Sequence, residues 1–280
     1  MIVESDPKAV QHLALKQRRQ GRTLGLVPTM GAMHEGHLSL IRRCRTENDF
    51  CAISIFVNPT QFEPGEDLDT YPRRLEADLA CAEEVGVDLA FTPDPAGMYP
   101  EGYSTWVIVE GLTENLCGRF RPGHFRGVTT VVSKLFNILL PDRAYFGEKD
   151  YQQLVVVRRM VADLNFPVEI RPCPTVREAD GLAMSSRNLR LTPEQRAVAP
   201  ALYRALCTAA EAARRGAIGE QVEKIVQEEL ARTPGFALQY VEAVEPDTLR
   251  RLGSASGPMV LAAAAYLGDV RLIDNVAVGA

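Results

Sequence analysis

Between residues 20 and 172, short apolar runs alternate with segments of helix length, and this alternation restricts the fold more than any other feature. Residues 23–28 read as a strand, and residues 34–46 as a helix with Leu38, Ile41 and Arg45 spaced by three and four. The run FCAISIFV at 50–57 is aromatic and β-branched without polar alternation, as in a strand covered on both faces. A helix at 73–85, a strand at 88–92, a helix at 127–140, a strand at 144–146, a helix at 150–164 and a strand at 167–171 continue the pattern. Strands interleaved with helices need βαβ crossovers, so the expected fold is α/β, a Rossmann-like parallel sheet with helices on both faces.

After Pro172-Cys173-Pro174 the character changes. Helices are expected at 193–215, with Thr192 as cap, Pro193 at the first position and Gly216 past the end, and at 220–232. Strands come next at 236–244, 258–266 and 270–275, which makes a smaller C-terminal α+β domain. The expected division is 1–175 and 176–280. The uncharged stretch 252–268 is broken by Gly253, Ser254, Ser256, Gly257 and Pro258. It falls short of the ~20 apolar residues of a membrane span and reads as a buried strand preceded by a turn.

Composition narrows the function. A net charge of −5 does not suit a protein that coats nucleic acid or an anionic membrane. The N-terminus, Met1-Ile2-Val3-Glu4-Ser5-Asp6, lacks the basic and apolar regions of a signal peptide. Cys44, Cys51, Cys81, Cys117, Cys173 and Cys207 form no C-x-x-C pair, so free thiols in a reducing cytoplasm are expected. Between residues 115 and 159, however, Arg119, Arg121, Arg126, Lys134, Arg143, Lys149, Arg158 and Arg159 face only Asp142, Glu148 and Asp150. A cationic island in an acidic chain points to a small anionic ligand, or to a solvated helix face.

Five segments carry chemistry. In PTMGAMHEGH a strand ends at a glycine turn and a helix opens on His34 and His37, three apart and on one face. Two imidazoles at a helix start suit a phosphate and the charge growing on a leaving group. Zinc ligation is the competing reading, but the spacing is not that of H-E-x-x-H and no third ligand lies nearby. Asn58 and Gln61, in VNPTQF, are neutral amides at a strand end, suited to reading a hydroxyl or carboxylate or simply to capping a turn. The basic segment LCGRFRPGHFRGV leads into a helix. In YFGEKDYQQ, Lys149 suits a phosphate, Asp150 a ribose hydroxyl or Mg²⁺, and Gln153 a polar substrate; surface salt bridges are the alternative. In PTVREADGLAMSSRN, Ser185, Ser186 and Arg187 form either a closing loop over a triphosphate or an inter-domain linker.

Together PTMGAMHEGHLSL, FVNPTQF, DLDTYPR, RPGHF, YFGEKDYQQL and READGLAMSSRN, in unbroken order from Pro28 to Asn188, resemble the pantothenate synthetase (pantoate–β-alanine ligase) family. Met33, where that family has Leu, is a near-isosteric departure. The resemblance implies a relative of class I aminoacyl-tRNA synthetases, with residues 34–37 as the HIGH motif and Met184-Ser185-Ser186-Arg187 in place of the Lys-Met-Ser-Lys-Ser loop. It implies ATP-dependent condensation of pantoate with β-alanine through pantoyl adenylate, releasing AMP and pyrophosphate. ATP is then expected at Met30, Gly31, Ala32, Met33, His34, Glu35, Gly36 and His37. It is expected also at Gly147, Glu148, Lys149, Asp150, Val176, Met184, Ser185, Ser186 and Arg187.

The resemblance further gives pantoate to Gln61 and Gln153, with Asn58 alongside and Gln61 also near β-alanine. His37 is the proton donor to the leaving group, and His34, Lys149 and Arg187 complete the catalytic set. Mg²⁺ is the implied cofactor, with Asp78 as its candidate ligand, while Asp69 and Tyr71 shape the loop. A homodimer through the N-terminal domain and a C-terminal lid are also implied, without nucleic acid or membrane partners. A nucleotidyltransferase of the same group, which keeps the nucleotide in its product, and a silent nucleotide sensor are the alternatives.

Overall fold

The computed structural model describes every residue except Pro64, Asp67, Ser256 and Ala280. Asp67, which opens DLDTYPR, and Ser256, in the expected turn, therefore lie outside the described residues. In chain order the elements begin β1 (Ile2–Glu4), α1 (Pro7–Arg19), β2 (Leu24–Thr29), α2 (Glu35–Glu47), β3 (Phe50–Ile55), α3 (Leu75–Glu84) and β4 (Leu89–Phe91). Next come α4 (Pro95–Met98), α5 (Leu116–Phe120), α6 (His124–Leu139), β5 (Arg143–Gly147), α7 (Tyr151–Asp163) and β6 (Glu169–Cys173). The chain ends with α8 (Pro193–Val198), α9 (Ala201–Arg214), α10 (Gly219–Ala231), β7 (Phe236–Val244), β8 (Met259–Leu267) and β9 (Val270–Val278).

Two compact units result. The first takes Met1–Glu110, Arg121–Glu148 and Val156–Pro174; the second takes Gly111–Phe120, Lys149–Val155 and Thr175–Ala280. The units thus interleave along the sequence, whereas the expected division was contiguous.

The first unit holds a six-stranded sheet in the order β1-β4-β3-β2-β5-β6, every pair parallel. Helices α2 and α3 pack together, as do α1 and α6, and both α2 and α6 lie against β2. Val27, Ile41, Cys44, Ile53, Ala90 and Tyr145 share one core. Because β2 has β3 on one side and β5 on the other, strand order reverses there. In open α/β sheets a ligand sits outside the carboxyl ends of the strands at such a reversal. The sheet therefore places the expected ligand site at the loops after Thr29 and Gly147.

The second unit has an antiparallel sheet, β7-β8-β9. Val241, Ala243, Leu261 and Ala263 pack with Leu202, Leu206, Val222 and Val226 of α9 and α10. The alternate residues Tyr240, Val244, Val260, Ala262 and Ala264 pack with Leu116 and Val155. Since successive strand residues face opposite ways, β8 is apolar on both sides, which explains its run MVLAAAAYL.

Several expectations need correction. The helix expected over 193–215 is two, α8 and α9, because Pro200 has no N–H to continue the ladder. Helix α6 starts at His124 rather than Gly127, since Gly123 takes φ 86° and turns the chain into it. The strand expected to reach Val57 ends at Ile55, and β9 runs on to Val278. β1 and α1 were not anticipated, although Asp6 caps α1 by accepting from the Lys8 and Ala9 amides with Pro7 at the first position. The cationic island is largely neutralised: Arg119, Arg121, Arg143 and Arg159 pair with Glu242, Glu66, Glu169 and Asp163. Arg126 and Lys134 lie over the rings of Trp106 and Tyr103. All six cysteines are free, with Cys44, Cys51 and Cys173 buried. No helix among the described residues is long and apolar enough to cross a membrane.

One glycine fixes how closely α6 approaches the turn after β3. A Cβ on Gly127 would stand 2.4 Å from the Thr60 carbonyl oxygen and 2.7 Å from Cα of Gln61. Backbone cannot yield as a side chain would, so Gly127→Ala is expected to lower stability by about 1–3 kcal/mol. A shifted urea midpoint at constant m-value would register it; an unmoved midpoint would mean that the turn gives way freely.

Candidate active site

The strand tip of β2 is shaped by a buried carboxylate. Gly31 and Ala32 both lie in the left-handed region, at φ 84° and 50°, a conformation that alanine rarely takes. Asp78, at the start of α3 and only 3% exposed, holds them there. Its Oδ2 accepts from the Ala32 amide at 2.8 Å and its Oδ1 from the Met33 amide at 2.7 Å. Thr29 adds a brace, donating to the Ser54 carbonyl at 2.7 Å and accepting from the Gly31 amide at 3.2 Å. Asp78, expected near a metal, holds this loop through both carboxylate oxygens. No group of three His, Cys, Asp or Glu side chains among the described residues is arranged to hold a metal ion. These residues therefore offer no ready-made cage for magnesium.

The loop leads into α2 through a capping box made of histidines. The Gly36 amide donates to Nδ1 of His34 at 3.1 Å, and the His34 amide to Nδ1 of His37 at 3.4 Å. The ring centroids are 4.1 Å apart, tilted by 40°. With Nδ1 accepting in both rings, each neutral imidazole carries its proton on Nε2 and is a donor there. The backbone amides of Gly31, Ala32, Met33, His34 and Gly36 are all engaged within the chain. The Glu35 carboxylate pairs with Arg42.

At the end of β3 the expected pair Asn58 and Gln61 is assembled, with different parts. Asn58 is 1% exposed. Its Oδ1 accepts from the Thr60 amide and hydroxyl and from the Tyr99 hydroxyl, and its Nδ2 donates to Gln61 Oε1 at 3.1 Å and to the Gly127 carbonyl. Asn58 thus orients Gln61, whose Nε2 lies 3.0 Å from Met30 Sδ.

The RPGHF segment holds the same glutamine from its backbone. Arg121 can only donate, so His124 Nε2 accepts from it at 3.2 Å and Nδ1–H donates to the Gln61 carbonyl at 2.8 Å. Nε and Nη2 of Arg121 each donate to a Glu66 carboxylate oxygen at 2.6 Å. Burial pushes the Glu66 carboxyl up, but this two-pronged bond outweighs it and holds the group below its ordinary range. In the sequence Arg121 and His124 are only parts of a basic segment; nothing in their spacing reveals a partner some sixty residues away.

Gly147 and Glu148 close the first unit's strand β5, while Lys149, Asp150 and Gln153 belong to the second. The side chain held tightly in QQ is Gln152, which donates to the carbonyls of Leu112 and Asn115 and accepts from the Cys117 amide. Val176 accepts from the Met184 amide at 3.0 Å, closing a hairpin that presents Ser185, Ser186 and Arg187. Ser185 caps the following 3-10 turn through Oγ, which accepts from the Arg187 amide. Within this unit Lys149, Ser185, Arg187, Asn188, Arg271 and Asp274 line one recess. Two of the residues in that wall, Arg271 and Asp274, carried no signal in the sequence.

The chain's likeness to known proteins agrees with this arrangement. The family model for pantoate-beta-alanine ligase matches residues 2–277. Pantothenate synthetase of Moorella thermoacetica is 55% identical over 269 residues, covering 96% of this chain and 95% of that protein. The Acetivibrio thermocellus enzyme of the same name is 52% identical, covering 98% and 97%. The crystal structure of pantothenate synthetase from Thermus thermophilus superposes with a TM-score of 0.93 at 49% identity, covering 99% of each chain. That of pantoate-beta-alanine ligase from Francisella tularensis, complexed with beta-gamma ATP and beta-alanine, gives 0.82 at 35% identity, covering 99% and 97%. The parallel sheet, the histidine-capped helix and a family match over nearly the whole length lead to one assignment: this chain belongs to the pantoate–β-alanine ligase family.

Proposed function

We propose that the chain joins pantoate to β-alanine in two steps on one ATP, with pantoyl adenylate between them. The observation that carries this reading is the histidine capping box, which makes donors of two imidazoles at the carboxyl end of β2. In the first step a pantoate carboxylate oxygen attacks the α-phosphorus, the bond to the bridging oxygen breaks, and pyrophosphate leaves. A carboxylate is already a nucleophile at neutral pH, so the step needs no base and no covalent enzyme intermediate. It needs two anions held in line and the charge on the departing oxygens met by fixed donors. His37, with His34 beside it, supplies neutral N–H donors, and Lys149 and Arg187 supply charge to the polyphosphate. In the second step the amine of β-alanine attacks the acyl carbon and AMP departs, completing the amide.

In this reading the nucleotide is met by the loop of Met30, Gly31, Ala32 and Met33, by Gly147 and Glu148, and by Asp150, Val176, Met184, Ser185 and Ser186, with residues 185–187 as the covering loop. Gln61, held at both atoms of its side-chain amide, reads pantoate, as does Gln153, and a neutral amide does so without titrating. Asn58 acts through Gln61. Mg²⁺ belongs to the proposal as an ion carried by the phosphate oxygens, its usual mode of binding. Free buried thiols support a reducing, cytoplasmic setting. A homodimer is supported by Trp106 and Ile108, which expose apolar surface on the first unit.

Pyrophosphate release with ATP and pantoate alone, before any amine is supplied, tests the adenylate. His37→Ala and Lys149→Ala are each expected to slow that release by ~10²–10³, the size of one lost transition-state donor. Near-normal rates in either variant would remove that residue from the chemistry. For Gln61→Ala, calorimetric titration should show weakened pantoate binding and intact ATP binding. Unchanged pantoate affinity would take Gln61 out of the substrate site.

A further inference from the structure

Two neighbours on β9 hold both cationic arms of the second unit. Asp274 is buried, and its carboxylate takes a two-pronged bond from Arg177, Nη1 to Oδ2 at 2.6 Å and Nη2 to Oδ1 at 2.9 Å. Arg177 sits at the base of the hairpin that presents Ser185, Ser186 and Arg187. From there it donates to the Gly181 carbonyl at 3.1 Å, bridges to Ala183, and lays its guanidinium 3.5 Å from the centre of the Tyr203 ring. The hairpin's other ties, Glu178 amide to Leu182 carbonyl and Asn188 Nδ2 to Ala183 carbonyl, make it a stiff extension of that anchor. The next residue, Asn275, donates from Nδ2 to the backbone carbonyl of Lys149 at 3.0 Å. One dipeptide thus tethers the peptide that carries the ammonium and the loop that carries the guanidinium, and both cations line the same recess.

We propose that Asp274 and Asn275 are positioning residues that set the spacing between Lys149 and the loop of Ser185, Ser186 and Arg187, so that both grip one polyphosphate tail. The inference rests on the reading of those groups as the polyphosphate grip. The cost of a misplaced cation falls on the phosphates beyond the first, because in that reading Lys149 and Arg187 serve the polyphosphate and not the nucleoside. A bidentate Arg–carboxylate pair suits such a role, since its fork fixes direction as well as distance.

The test is calorimetric binding of ATP, pyrophosphate, AMP and pantoate to the full chain and its variants. Asn275→Ala removes the bond to the Lys149 carbonyl and is expected to weaken ATP and pyrophosphate about fivefold. Asp274→Asn breaks the charged fork and should weaken them by ~10-fold or more. AMP and pantoate should stay within about twofold, which a general loss of structure would not allow. If Asp274→Asn does not fold, Asn275→Ala alone decides. A folded Asn275→Ala that keeps full ATP affinity, or loses AMP and pantoate in parallel, overturns the proposal. Lys149→Ala separates the two levels: intact ATP affinity there would sink the grip itself, whereas a loss there without one in Asn275→Ala would sink only the positioning role.

Discussion

A carboxylate removed from water and satisfied by two adjacent backbone amides is the constraint on which the rest of the first unit's site depends. Asp78 contributes no chemistry of its own in this structure, yet without it Gly31 and Ala32 would relax from the left-handed region. Hydrogen bonds from charged acceptors to amides are the strong class, and burial strengthens them further. The bond pair offsets the strain at Ala32, fixes where β2 hands over to α2, and so decides where the histidine cap begins. The same carboxylate also crowds the space beside Gly31, where a Cβ would come within 2.8 Å of it.

Beyond Asp78, several neutral groups set direction in the first unit. Imidazole rings cap the helix, an asparagine orients a glutamine, and a histidine fixed by an arginine grips that glutamine's backbone. Charges, in contrast, are mostly cancelled where they stand, as Arg121 is by Glu66 and Arg119 by Glu242. Such pairing keeps a dianionic or more highly charged substrate from being drawn to the wrong place, since long-range attraction follows the uncompensated charge.

Much of the fold was legible because it depends on local pattern. The run at Phe50 has no polar face, and a sheet covered on both sides is its direct consequence. The failures have equally local reasons. β1 is three residues long with exposed side chains, so it has no period to read. Pro200 was absorbed into a helical stretch whose apolar spacing continues on either side of the break. The candidate site could be read where a motif and a strand end coincided, as at His34 and His37. It could not be read where residues pair at a distance: Arg177 and Asp274 are 97 positions apart, and no spacing rule connects them. Asp78 shows the intermediate case: the residue was singled out for a metal, whereas its bonds to the Ala32 and Met33 amides, forty-odd positions away, could not be read from spacing.

The apolar character of β8 on both faces has a consequence for the unfolded chain. Met259–Leu267 carries no charge and no proline, and only one tyrosine interrupts its aliphatic run. Such a segment is a strong template for intermolecular β-pairing once its two sheet neighbours peel away. Heating should therefore end in clumping rather than in a reversible transition, and recovery after denaturation will depend on dilution. The strand that makes the second unit's core also makes its loss hard to undo.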